Sequence, residues 1–168
     1  MRRVALVLVA FLTALLLQST LFADARLFGA RPELIVLVTI LVALAEGPNA
    51  GAVAGFAGGM WQDLLGAQTV GVTALVLTFV GAVVGTLRQY IVSESPYIPA
   101  SIVGVGTFLA ILTVGFVQLL LGQFEVSAAY LLRVAALSGV YGAVLTPLVA
   151  PLVRRILGSK PRATARRW

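Results

Sequence analysis

Histidine and cysteine are absent from this chain, and charged residues are scarce. Without cysteine there is no disulfide and no thiol nucleophile; without histidine there is no imidazole base, and the usual zinc and haem ligand sets cannot be assembled. Only 11% of the 168 residues carry charge, where a soluble domain carries about 25%. The six acids stand singly along the chain, so no facing pair of aspartates and no convergent metal site is on offer, and no serine has a histidine to activate it. A glycosyl or phosphoryl transferase would want acids and arginines around a polar cavity, and that pattern is also missing. The expectation is a non-enzyme with no cofactor and no metal.

What the chain has is apolar surface: 60% hydrophobic residues and a mean hydropathy of +1.05. A spanning helix needs about 20 apolar residues, so the length allows several spans and no separate soluble domain. The sequence therefore predicts one all-α membrane domain, residues 1–158, followed by a basic tail, 159–168. Of the twelve basic residues, six fall in the last fifteen positions: Arg154, Arg155, Lys160, Arg162, Arg166 and Arg167. Basic residues directly behind an apolar segment read as a cytoplasmic flank against anionic lipid headgroups, and not as a nucleic-acid surface.

Six spans are expected, at about 4–23, 32–46, 49–66, 70–87, 100–121 and 131–153. The first follows Arg2-Arg3; Ala23-Asp24-Ala25 also resembles a signal-peptidase site, although the run is longer than a usual signal core. Pro32 suits a first helical turn, and Glu46-Gly47-Pro48-Asn49 breaks the apolar stretch into a hairpin. Its second arm is glycine-rich and its first is short, so two re-entrant half-helices are the alternative to two full crossings. Gly139, Gly142, Pro147 and Pro151 predict a kinked or irregular second half for the last span. With the N-terminus inside, nine basic residues lie on the cytoplasmic side against Arg26, Arg31 and Arg133 outside, as the positive-inside rule requires. Both termini are then cytoplasmic.

The stretch GPNAGAVAGFAGGMWQDLLG sets glycines at 47, 51, 55 and 59 and an acid, Asp63, at the next step of four. Helices in lipid gain no hydrophobic drive from meeting, and small residues at this spacing let backbones approach. Gly47, Gly51, Gly55, Gly59 and Asp63 are thus candidates for helix packing or for docking a partner. Gly81 and Gly85, and Ala10 and Ala14, repeat the spacing and are natural intramolecular counterparts. A four-residue step drifts about 40° round the helix, which predicts an oblique crossing. Asp63 stands about 22 Å beyond Pro48, near the outer interface where water reaches it, paired with Arg31 or Arg133 or bonded to local backbone. Gln18, Gln62 and Arg133 are polar candidates on the outer rim, and Trp61, Tyr130, Tyr90 and Tyr97 are candidate interfacial anchors.

The order of segments resembles the bacterial rod shape-determining MreD family: a first span ending LLLQSTLF, then RPELIVLVTILVAL, then the glycine series with Asp63, then VGVTAL and a fourth span ending at Arg88. The resemblance implies a non-enzymatic, multi-pass inner-membrane scaffold of the rod, or elongation, complex that supports lateral peptidoglycan synthesis and cell shape. It implies MreC as the direct partner, with RodA, a class B penicillin-binding transpeptidase and, indirectly, MreB. It also implies a six-helix fold similar to the substrate-binding subunits of energy-coupling-factor vitamin transporters. A subunit of that transporter kind is the alternative reading, and Gln18, Gln62, Asp63, Gln118 and Gln123 would be its polar pocket groups.

Overall fold

The computed structural model describes residues 33–66, 69–90, 97–122 and 127–157. These hold five α-helices: α1, Leu34–Glu46; α2, Pro48–Leu65; α3, Val72–Leu87; α4, Tyr97–Leu120; and α5, Ala128–Leu157, with a single 3-10 turn, Arg88–Tyr90, closing α3. No strand is present among the described residues. The expected first span, 4–23, lies outside them.

The middle of the bundle is α1. Its sequence, LIVLVTILVALAE, has no polar face, and every residue from Leu34 to Ala43 is buried. A helix that is apolar all round belongs inside a structure, and α2, α3, α4 and α5 all pack on it. Its 13 residues give a rise of only about 20 Å. It is therefore apolar but short, whereas α3 (with its 3-10 turn), α4 and α5 are long and apolar enough to cross a membrane.

Gly47 alone joins α1 to α2. Its φ of +102° is open to glycine and strained for side chains that carry a Cβ; its N–H donates to Ala43 O at 2.9 Å, and its carbonyl accepts from Gly51 N at 2.9 Å. Pro48 then takes the first helical position, where the missing N–H has no partner to lose. The two arms lie antiparallel: a Cβ on Gly51 would meet Ala43, and at the far end Gln62 bonds to Glu33.

A second antiparallel hairpin joins α2 to α3. Gly51 faces Gly81, Gly55 faces Leu77, Gly59 faces Ala74, and Gly85 faces Gly47 and Pro48. The drift of the stripe predicts an oblique crossing; the structure has instead a seam along the whole hairpin. Both helices present a small-residue ridge, so the ridges can follow each other and neither backbone has to leave the contact.

The helix limits correct the expected ones in three places. Gly71, at φ +101°, cannot sit in a right-handed helix, so α3 starts at Val72 and not at Val70. Pro99 is absorbed by the first turn of α4, where amides are unpaired in any case, and the helix begins at Tyr97. The last span, whose second half is expected to be kinked or irregular, is helical throughout from Ala128 to Leu157, with Pro147 and Pro151 inside it, so the irregular form is not found. Thr146 donates its hydroxyl to Gly142 O at 2.7 Å within the same segment.

Candidate functional site

The glycine series sits inside the α2–α3 seam. Gly51, Gly55 and Gly59 are buried, as are Gly81 and Gly85 opposite. A Cβ built on Gly59 would lie 2.5 Å from Ala74 Cα, and one on Gly51 would lie 2.5 Å from Gly81 O and 2.6 Å from Ala43 Cβ. At Gly55 the obstruction is the Leu77 carbonyl group and the Thr78 nitrogen. Across the α2–α3 seam each meeting is backbone against backbone, so dispersion contacts form at the shortest range two helices allow. This face is fully occupied within the chain.

Asp63 ends the stripe as a helix cap. Its Oδ2 accepts from Gly71 N at 2.8 Å and from Ala74 N at 3.2 Å. Those amides open α3 and have no carbonyl of their own helix to reach. A carboxylate there also meets the positive end of the helix dipole. Asp63 thus fastens the end of α2 to the start of α3. The expectation that water reaches it fails: the residue is only 1% exposed, because the same close seam that seats Gly59 encloses the next turn. It does not pair with Arg133, which is exposed on α5, and Arg31 lies outside the described residues. Oδ1 accepts no hydrogen bond among the described residues.

Above this cap, the open end of the bundle carries a polar group of residues. Gln62 Nε2 donates to Glu33 Oε2 at 2.9 Å across the α1–α2 hairpin. Both residues line a cavity of about 200 Å³ together with Gln118 of α4 and Tyr130 of α5. Its walls are apolar, with Val36, Leu77, Val114 and Leu131 among them. Gln62 and Gln118, far apart in sequence, therefore line one cavity. Asp63 turns to the α3 backbone, while Gln18 and Gln123 lie outside the described residues.

Glu33 was not singled out by its sequence context. The signal was there in the symmetry of the hairpin: positions 33 and 62 are nearly equidistant from the Gly47 turn. At the opposite end, Gly47 is buried with Arg88 close by. Arg154 and Arg155 fall in the last turns of α5, Arg155 exposed; Lys160, Arg162, Arg166 and Arg167 lie outside the described residues. Trp61 and Tyr130 are exposed at the Glu33 end, Tyr90 and Tyr97 at the Gly47 end, which gives the molecule an aromatic group at each rim.

Large apolar side chains also cover the outside: Val53 and Phe56 of α2, Phe79 of α3, Leu109 and Phe116 of α4, and Val144 of α5 are all exposed. Helices closely packed through glycines, large apolar side chains outside as well as in the core, and aromatics at both rims define a polytopic helical membrane protein. The family model of rod shape-determining protein MreD matches residues 1–156, and the chain belongs to that family. Its role is accordingly in the determination of rod cell shape. No curated protein matches it. No solved structure matches it either, so the expected likeness to energy-coupling-factor subunits has no structural match behind it.

Proposed function

We propose that this chain is a non-enzymatic scaffold of the rod complex in the bacterial cytoplasmic membrane, crossing it six times with both termini in the cytoplasm. It binds the transmembrane helix of an MreC-like partner and through it supports lateral peptidoglycan synthesis by RodA and its class B penicillin-binding transpeptidase, with MreB reached indirectly. The family match over residues 1–156 carries this reading. The basic residues after α5 then lie against anionic headgroups. The Gly47 end faces the cytoplasm, and the Glu33 end faces outward.

The partner surface in this reading lies away from the glycine stripe. Gly51, Gly55 and Gly59 are covered by α3, so a partner helix meets a lipid-facing side. Among the described helices α4 is the least covered: only Val103, Thr107, Ala110 and Gln118 of its 24 residues are buried. Leu109 and Phe116 stand outward on it.

Because the chain has no cysteine, single cysteines can be introduced without a background. Leu109→Cys and Phe116→Cys should crosslink to a cysteine in the partner's transmembrane helix, while Phe56→Cys on α2 should not. An intact complex that crosslinks only from Phe56→Cys would move the surface to α2. Failure of MreC to co-purify with the folded chain would overturn the scaffold reading itself.

A further inference from the structure

The central helix α1 is buried all round from Leu34 to Ala43, but the four described helices packed on it do not form a closed ring. α2 packs mainly on α1 and α3, and α5 on α1 and α4, so the wall runs in the order α2, α3, α4, α5 and opens between α2 and α5. The contacts of α1 follow the same order round its surface. Ala43 stands against Gly51 of α2, and Ile40 against Gly106 of α4. Val36 shares a cavity with Leu77 and Val114, and Leu41 and Ala45 share a small hollow with Pro99, Ala150 and Val153. At about 100° per residue, these positions sweep roughly 200° of the helix. Ile35, Val38, Thr39 and Val42 fall in the remaining arc.

Spaced i, i+3, i+4 and i+7, these four residues form one helix face. It is fully covered: Ile35 is 1% exposed, Val38 3%, Thr39 and Val42 0%. Even the Thr39 hydroxyl is enclosed, with no hydrogen-bond partner among the described residues. A single chain is present, so the cover is part of that chain. Beyond the described residues, 67–68, 91–96 and 123–126 are short links and 158–168 holds the basic tail. Only the apolar run 4–23, with a rise of about 30 Å as a helix, has the length to cover α1 from end to end. It leads through residues 24–32 directly to Glu33, and consecutive elements are commonly neighbours in space.

We propose that residues 4–23 seat as a helix on the Ile35–Val38–Val42 face of α1, between α2 and α5 and antiparallel to α1, and so close the ring around it. This seat presupposes the six-span crossing proposed above and is independent of the partner bound. With both segments measured from the Glu33 end, Leu21 comes level with Ile35, Gln18 with Val38 and Ala14 with Val42. Ala10, Ala14, Gln18 and Leu21 share one face of such a helix, where the two alanines let the backbones approach.

Double-cysteine variants of the full chain test the seat, with no native cysteine to interfere. Leu21→Cys with Ile35→Cys, Gln18→Cys with Val38→Cys and Ala14→Cys with Val42→Cys should each form a disulfide when membranes are treated with copper phenanthroline. The control is Ala14→Cys with Leu109→Cys, because Leu109 faces outward on α4. A disulfide needs Cα atoms within about 7 Å, so a yield at least about fivefold above the control is expected. A reduced variant with the wild-type Tm reports an intact fold, and three pairs guard against the loss of any one. Peptide mapping detects the bond, and migration as a monomer shows that it lies within one chain. Such a bond in any folded pair, above the control, supports the seat, and the pair of highest yield sets the register. Folded variants that all stay reduced, that crosslink only between two chains, or that yield no more than the control would overturn it. Intact mass tells this failure from failure of the six-span reading: a purified chain lacking residues 1–23 removes the span itself, whereas a full-length chain without the bond removes only its seat.

Discussion

Two helix pairs in this molecule pack by different means. Along α2 and α3 the backbones themselves meet at Gly51, Gly55, Gly59, Gly81 and Gly85. Between α4 and α5, Gly104 and Gly139 meet backbone to backbone, whereas Gly115 receives the Leu131 side chain and Gly142 those of Thr107 and Val103. A side chain can change rotamer to admit one more carbon, but a helix backbone can move only as a whole. The first pair is therefore a fixed joint and the second an adjustable one. In a bilayer this matters more than in water, because separating the helices exposes apolar surface to lipid at little cost and only close packing holds them.

The sharpest way to break the contrast is Gly55→Ala. The new Cβ would run into the Leu77 carbonyl and the Thr78 nitrogen, and a loss of about 3 kcal/mol or more is expected. The variant should fail to accumulate or should unfold far earlier in a detergent melt; wild-type behaviour would show that the seam can open.

Next comes Asp63→Ala, which removes the acceptor that joins the two helices. Leaving the Gly71 and Ala74 amides without it should destabilise by about 1–3 kcal/mol, with Asp63→Asn retaining part of the difference. Hydrogen exchange at residues 71–74 should rise in both variants. An unchanged exchange rate in Asp63→Ala would remove the cap from the account.

Gly71→Ala tests the turn without touching the seam. Nothing lies within 4 Å of the added Cβ, so the effect is confined to backbone strain at φ +101°, about 1–2 kcal/mol. Smallest of all is Gly115→Ala on the adjustable pair, where only Leu131 side-chain atoms stand in the way. A loss under about 1 kcal/mol is expected from one rotamer adjustment, readable as a Tm shift of a few degrees at most. A loss there as large as at Gly55 would erase the distinction between the two pairs.

Much of this was legible from residue order. Apolar run lengths placed the described helices to within a few residues, since a helix in lipid must satisfy its own backbone and only breakers such as Gly47-Pro48 can end it. Where the limits missed, the cause was local: the positive φ at Gly71, or the tolerance of a first turn for Pro99. Asp63 does bond nearby backbone, one of the expected alternatives, but its access to water was misjudged for a different reason. Counting residues from Pro48 gives its height along α2, yet height does not tell whether a neighbouring helix start encloses the carboxylate. Glu33 went unnoticed because its partner Gln62 lies 29 positions away, a separation that periodicity does not report.

By itself the sequence determined that this chain is helical, that it belongs in a membrane, and that α2 carries a surface able to touch another backbone. Run length, charge scarcity and glycine spacing are properties of one segment at a time, and these follow from them. The tertiary structure decided what that surface touches: α3 of the same chain, leaving the outer faces for other contacts. It also turned Asp63 into a sealed helix cap and drew Glu33, Gln62, Gln118 and Tyr130 around one cavity. Burial and convergence depend on how several helices close on each other, and that relation exists only once they have packed.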